Sequence, residues 1–258
     1  MAKFCPLFSG SSGNCTYIAS SSGGILIDAG VSAKSIVTAL AQRSADIADI
    51  KAIFITHEHS DHTSALRVLT SKYNIPVYAT NGTINSIGMH FGKKTEHHAI
   101  SGSVCVANME ITAFKTPHDS RESCGFIVQT TDRRIAVCTD LGCVTDDVRD
   151  ALTGCDLVML ESNHDTMMLQ NGRYPYFLKR RVMSKHGHLS NAACADELSR
   201  LVNSGTTRFV LAHLSRENNV PFLAVETARA ALAIQDMEEG SDYLLYAAPP
   251  ANGRTMVL

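Results

Sequence analysis

The sequence has no apolar stretch approaching the ~18 residues that a membrane-crossing helix needs, and it does not start with a basic segment leading into an apolar run. Membrane spanning and secretion therefore find no support, and the chain reads as soluble and cytoplasmic. It also lacks a surplus of one charge: 23 Lys plus Arg stand against 25 Asp plus Glu, a formal net charge of −2. With no global field to gather a polyanion, a nucleic acid must be held by a local patch. The eight cysteines form no C-x-x-C pair in a chain far too long to need disulfide staples, so they read as small buried hydrophobes in a reducing compartment. Linkers of low complexity and sequence repeats are missing too. With 45% hydrophobic residues over 258 positions, one sizeable core and a single domain spanning residues 1–258 are expected.

Short β-type runs at 4–8, 14–19 and 24–27, punctuated by Ser and Gly, predict the start of an antiparallel sheet. Ser32 is placed to cap a helix carrying Ile36, Val37 and Leu40, and strands follow at 50–55 and 76–79. A second β-rich block covers 104–114, 125–129, 134–138 and 156–160, the last apolar on consecutive positions as a strand buried on both faces would be. Helices at 192–202 and 224–234 flank a strand at 209–212, and 243–248 adds a final strand. Two sheet-rich halves with helices outside make an α/β four-layer sandwich.

The sharpest signal is Thr56-His57-Glu58-His59-Ser60-Asp61-His62, four potential metal ligands within six residues where a strand hands over to a helix. Alternation aims His57 and His59 the same way from an extended segment, while Asp61 and His62 at the turn can face a second ion. Two divalent ions per chain are the natural reading. Imidazole and carboxylate suit Zn²⁺ or Mn²⁺, with Fe a further candidate, and the absence of cysteine removes the strongest pull toward a purely structural zinc.

These residues resemble the signature of the metallo-β-lactamase superfamily. Asp28 in Ile27-Asp28-Ala29-Gly30, His118 in Thr116-Pro117-His118-Asp119, Asp140 in Cys138-Thr139-Asp140-Leu141 and His213 in Ala212-His213-Leu214 match its other motifs in order. The resemblance implies an αββα fold. It also implies one ion on His57, His59 and His118, the other on Asp61, His62 and His213, Asp140 bridging both, and Asp28 orienting the ligand loop.

The superfamily includes lactonases, thioesterases, β-lactamases and nucleases, so the metal site alone does not choose the substrate. Asp156-Leu157-Val158-Met159-Leu160-Glu161-Ser162 and Gly187-His188-Leu189-Ser190-Asn191 resemble motifs of nucleic-acid-processing members of the ribonuclease J type. That likeness makes Glu161 the residue that orients His188, and His188 the acid that protonates the leaving oxygen. Only 26 residues separate the two here, so the large inserted domain of the ribonuclease J type is absent. With Ser9-Gly10-Ser11-Ser12-Gly13-Asn14, Glu161-Ser162-Asn163-His164-Asp165 and His213-Leu214-Ser215-Arg216-Glu217-Asn218-Asn219 added, the pattern is similar over essentially the whole chain to the bacterial YycJ/WalJ family. The family likeness implies a 5′-to-3′ exonuclease on double-stranded DNA, supported by Mn²⁺, linked to mismatch repair, with a metal-held hydroxide as nucleophile and Asp61 in the catalytic set.

A separate feature favours a phosphate substrate. Residues 166–195 contain no Asp or Glu, yet hold Arg173, Lys179, Arg180, Arg181 and Lys185. Such a patch can grip DNA, or RNA, by its phosphates, and Tyr174, Tyr176 and Phe177 can stack on a frayed base; a solvated cationic loop is the plainer alternative. Ser9 to Asn14 reads equally as a backbone nest with Ser11 and Asn14 at the substrate, or as a hairpin turn. His164 and Asp165 can line the site, whereas His90, His97, His98 and His186 match no ligand slot. Two rival functions remain open: hydrolysis of a small thioester or lactone, and a binding module whose metals are structural.

Overall fold

The computed structural model describes residues 1–88, 91 and 95–258. Two mixed sheets lie face to face with helices on both outer sides, so the architecture is the α/β four-layer sandwich expected from the sequence. The first sheet runs β14-β1-β2-β3-β4-β5-β6, from β1 (Lys3–Phe8), β2 (Cys15–Ser20), β3 (Gly23–Ile27), β4 (Ile50–Ile55), β5 (Val77–Ala79), β6 (His97–Ala99) and β14 (Met256–Val257). The second runs β13-β12-β11-β10-β9-β8-β7, from β7 (Ser103–Val106), β8 (Met109–Lys115), β9 (Cys124–Gln129), β10 (Arg134–Cys138), β11 (Leu157–Glu161), β12 (Arg208–Ala212) and β13 (Leu244–Ala247).

Three apolar layers hold the sandwich. Phe4, Phe54, Phe126, Met159 and Val210 fill the space between the sheets, while Leu26, Ile53, Leu40 and Leu69 join the first sheet to α1 (Ala33–Ala41) and α3 (Leu66–Tyr73). Val158, Leu160, Leu198, Leu211 and Leu232 join the second sheet to α8 (Asn191–Asn203) and α9 (Pro221–Ala233). Strands buried on both faces cannot alternate apolar and polar residues, which is why 52–55 and 157–160 read as continuous apolar runs. The Ser32 side chain accepts from the Ser35 N–H at the start of α1, as its position before an apolar helical pattern required.

The expected single strand at 104–114 is instead the hairpin β7 and β8. It turns at Ala107 and Asn108, whose φ values of 52° and 56° suit a tight hairpin turn of matching twist. Asn without the usual following Gly concealed the turn. All eight cysteines are free thiols, six of them buried.

Within each sheet one half is antiparallel and the other parallel: β3 through β6, and β10 through β13. Ligand sites on such sheets form beyond the carboxyl ends of the parallel strands, because the chain leaves there in loops free to vary. Two of these loops and the turn between β1 and β2 are locked together by main-chain hydrogen bonds: Asn14 N to Asp61 O, Gly30 N to Asn14 O, and Ala29 N to His62 O, each 2.8 Å. Gly30 makes this possible, since a Cβ there would sit 1.5 Å from the Asp61 carbonyl oxygen. Gly30→Ala is therefore expected to cost about 3 kcal/mol of stability and to displace Asp61 and His62. Urea unfolding of the variant within about 0.5 kcal/mol of the parent would refute this close packing.

Candidate active site

The side chains expected at the site gather beyond those strand ends. Asp28 follows β3, Thr56 and His57 follow β4, Asp140 lies two residues past β10, Glu161 ends β11 and His213 follows β12. Asp28, Asp140 and His213 have φ values of 63°, 56° and 53°. Left-handed backbone costs a non-glycine residue roughly 1–2 kcal/mol, and such strain clusters where a side chain must be aimed. α2 (Ser60–Thr63) then begins immediately after His59 and carries Asp61 and His62.

The rings of His62, His118 and His213 each have Nδ1 committed and Nε2 turned toward the cluster. His62 Nδ1 donates to Asp28 Oδ2 at 2.8 Å, His118 Nδ1 to the Gly187 carbonyl at 3.0 Å, and His213 Nδ1 to Glu161 Oε1 at 2.7 Å. His57 Nδ1 lies 3.0 Å from Thr56 Oγ1, and its Nε2 lies 2.9 Å from His59 Nδ1. Such partners fix the tautomer and the ring orientation of a metal ligand. Asp28 does so firmly because its Oδ1 also accepts from the Thr56 N–H and hydroxyl, at 2.9 and 3.0 Å.

The inward nitrogens and carboxylates fall into sets whose donor atoms lie within 4.8 Å of one another: His57, His59 and His118; His57, His62 and Asp140; Asp61, His62 and His213. Two of the inward atoms, Asp140 Oδ2 and His213 Nε2, are buried with no hydrogen-bond partner. A buried polar atom without a partner costs about 1–3 kcal/mol, so these two ask for a cation. The donors are all imidazole nitrogen and carboxylate oxygen, which fits Zn²⁺ or Mn²⁺. Asp140, Glu161, His188 and His213 form a fourth set. Glu161 is a poor ligand, however, because Oε1 already accepts from His188 and His213 at 2.8 and 2.7 Å, and Oε2 from the N–H groups of Leu141 and Leu189 at 3.0 and 3.1 Å.

Electrostatics follow the same design. Burial would raise the Asp140 carboxyl, but His213, His62 and His57 overturn this and hold it well below the usual carboxylate range. Burial acts likewise on Glu161, and His188 with His213 brings it down to about 2. Burial together with the neighbouring His62 pushes His57 well below the ordinary imidazole value, the neutral state that ligation requires. His213 goes the other way: burial opposes its charge, yet Asp140, Asp61 and Glu161 raise it to about 10. The negative potential that draws a proton there would equally draw a divalent cation.

Against the centre lies a pocket of about 150 Å³ lined by His188, Arg181, Asp119, Tyr174, Ser11 and Ser215, among others. His118 also lines a second hollow of about 320 Å³ with Lys115, Arg121 and His186. Of the basic stretch, Arg181 reaches the first pocket and pairs with Asp119 Oδ2 at 2.5 Å. Lys179 Nζ is spent on the Gln170 carbonyl at 2.8 Å, Arg180 covers the Tyr176 ring, and Arg173 and Lys185 are exposed. The pocket is not lined by these four. Asn14 is buried rather than open to substrate: Oδ1 accepts from the Gly10 N–H, and Nδ2 lies 3.1 Å from His62 Nε2. With Gly13 N bonded to Gly10 O, residues 9–14 form a turn that uses the Gly10 and Gly13 amides internally and sends the Asn14 amide to Asp61 O, with Ser11 at the pocket.

His164 is buried, and Asp165 accepts from the Met168 N–H at the start of α6 (Thr166–Asn171). His97 and His186 are exposed, His98 pairs with Glu96, and His90 lies outside the described residues. In the sequence Thr56 and Asp119 stand out only as parts of motifs. The structure adds their work: Thr56 ties Asp28 to His57 and His62, and Asp119 lies 3.3 Å from His118 Nε2 while holding Arg181.

Comparison with known proteins agrees with this geometry. A beta-lactamase superfamily domain matches residues 24–214. The exodeoxyribonuclease YycJ of Bacillus anthracis is 36% identical over 86% of this chain and 85% of its own length, and the exodeoxyribonuclease WalJ of Streptococcus pneumoniae serotype 2 (strain D39) is 34% identical over 96% and 94%. Among solved structures, the metallo-beta-lactamase fold protein YhfI of Bacillus subtilis superimposes with a TM-score of 0.76 over 99% of this chain and 98% of its own, at 15% identity.

Proposed function

Since the chain belongs to the beta-lactamase superfamily, and within it to the family of the YycJ and WalJ exodeoxyribonucleases, we propose that it is a metal-dependent nuclease that degrades double-stranded DNA from 5′ to 3′ in the cytoplasm and serves mismatch repair. The single observation that supports phosphodiester chemistry best is the grip of one Glu161 oxygen on both His188 and His213. A hydrolase of small thioesters or lactones would have no evident use for an oriented second histidine facing a pocket with Arg181.

Two divalent ions would be held by His57, His59 and His118 on one side, Asp61, His62 and His213 on the other, with Asp140 shared. Bound there, such ions polarise a phosphodiester and lower the pKa of water. The chain's own residues do the rest. Arg181, turned into the pocket, offers a fork of N–H donors to a phosphate, and Asp119 holds that fork in place. His188, its Nδ1 committed to Glu161, presents Nε2 to the pocket, where an Nε2 proton can pass to the leaving oxygen and release a 5′-mononucleotide. Asp28 and Glu161 keep the ligand rings from rotating. DNA is the substrate proposed, and its phosphates rather than its bases would supply most of the affinity.

The test is a time course with Mn²⁺ on end-labelled duplex DNA, run beside Asp61→Ala and a panel of thioesters and lactones. Mononucleotides released by the parent and lost in the variant are expected; inert DNA with a hydrolysed thioester or lactone would overturn the proposal. For His188→Ala, turnover is expected to fall about 10²–10⁴-fold with bound metal unchanged, as loss of a general acid should give. Full turnover, or loss of metal, in that variant would remove His188 from this role.

A further inference from the structure

A buried cluster and a pocket of about 150 Å³ cannot receive a base pair, since that volume lies below the roughly 300 Å³ at which pockets for even drug-sized ligands begin. If the substrate is duplex DNA, as proposed above, its last nucleotide must leave its partner before its phosphate reaches His188. Unpairing and unstacking a base is costly, and enzymes that act on extruded nucleotides offset this with stacking surfaces.

Such a surface stands at the pocket's lip. In α7 (Tyr176–Val182), Leu178, Arg181 and Val182 line the pocket, and so does Tyr174 just before the helix. Phe177 precedes Arg181 by four residues and so shares its side of the helix, one turn nearer the N-terminus. Yet Phe177 is 73% exposed and its neighbour Tyr176 75%; among the described residues Phe222 is the remaining aromatic left so bare. Single exposed apolar residues are ordinary, but two adjacent aromatics beside a catalytic pocket are not scatter. The Arg180 guanidinium lies 6.0 Å from the Tyr176 ring centre, leaving that aromatic surface flanked by positive charge in a stretch without one acidic residue from 166 to 195. An exposed aromatic pair flanked by the Arg180 guanidinium in an acid-free stretch matches the end of a nucleic-acid duplex, where bare base faces are bordered by phosphates. We propose that Tyr176 and Phe177 form a wedge that splits the terminal base pair and stacks on the freed bases while one strand enters the His188 pocket.

The proposal rests on the nuclease reading, and its test separates the two. Duplex DNA carrying 2-aminopurine in its terminal pair is mixed with protein in EDTA, where nothing is cut. Parent protein should raise the emission as the base unstacks from its neighbour; the double variant Tyr176→Ala/Phe177→Ala should bind within about twofold yet give no rise. With Mn²⁺, the double variant should cut blunt duplex about tenfold more slowly, while a duplex with three mismatched terminal pairs brings it within about twofold of the parent, and Phe177→Trp stays near parental rates on both. An equal loss on blunt and mismatched ends, an unchanged emission rise, or a dimer that the double variant dissolves in sedimentation would overturn the wedge. DNA left uncut by the parent would overturn the nuclease reading, while the emission still decides the wedge.

Discussion

Asp140→Asn is expected to abolish measurable cleavage, a loss of at least ~10³-fold, and to leave the protein short of metal after dialysis. Asp140 is buried and lies between both halves of the donor cluster, with Oδ2 3.2 Å from His62 Nε2 and Oδ1 3.8 Å from His118 Nε2 and 3.5 Å from His213 Nδ1. No other carboxylate among the described residues approaches rings from both sets in this way. Asparagine is the informative replacement because it tolerates the left-handed backbone at φ 56°, whereas alanine would add strain of its own. The change then removes one negative charge and one oxygen lone-pair set, and little else. Metal content measured by mass spectrometry beside the single-turnover rate decides the matter. A variant that retains its ions and cuts within about tenfold of the parent would show that Asp140 does not bridge the centre.

Much of this centre was legible in advance because its chemistry is local in the chain. Residues 57–62 alone present four candidate ligands, and the strand before them ends at Ile55 as its apolar run foretold. Asp28, His118, Asp140 and His213 were legible only through family likeness, since an isolated His or Asp after a strand carries no local signal. Folding supplies what the sequence does not: a left-handed residue at three strand ends, and Gly187, where a Cβ would meet the Arg181 carbonyl oxygen at 2.2 Å, bringing the His188 loop against α7. The same reason explains the basic stretch. Composition grouped five cations there, but helix geometry turns Arg181 toward the pocket and ties Lys179 to a carbonyl. The short elements went unread as well. α5 (Asp146–Leu152) and α6 have too few turns for a periodicity to emerge, and β14 is a two-residue edge strand defined only by pairing with β1.

Glu161→Gln should do almost as much damage as losing a ligand, though Glu161 need touch neither metal nor substrate. Its carboxylate accepts four hydrogen bonds and donates none: two from histidine Nδ1–H groups at Oε1, two from backbone N–H groups at Oε2. A glutamine amide has one oxygen. Whichever way it is turned, its NH₂ faces two fixed donors in a fully buried site, and at least two hydrogen bonds become repulsive contacts. If the oxygen keeps the histidines, the amides of Leu141 and Leu189 lose their acceptor and the loop carrying Asp140 is pushed away. If it keeps the amides, His213 and His188 lose the acceptor that fixes their tautomers. Either outcome should cost about 3–5 kcal/mol of stability, as breaking a buried charged pair does, and lower turnover by ~10²–10⁴-fold. A structural role alone would reduce stability with the surviving folded protein fully active. Urea unfolding, metal affinity and turnover per folded molecule, measured together, separate the two cases, and parental turnover per folded molecule with parental metal affinity would reduce Glu161 to packing.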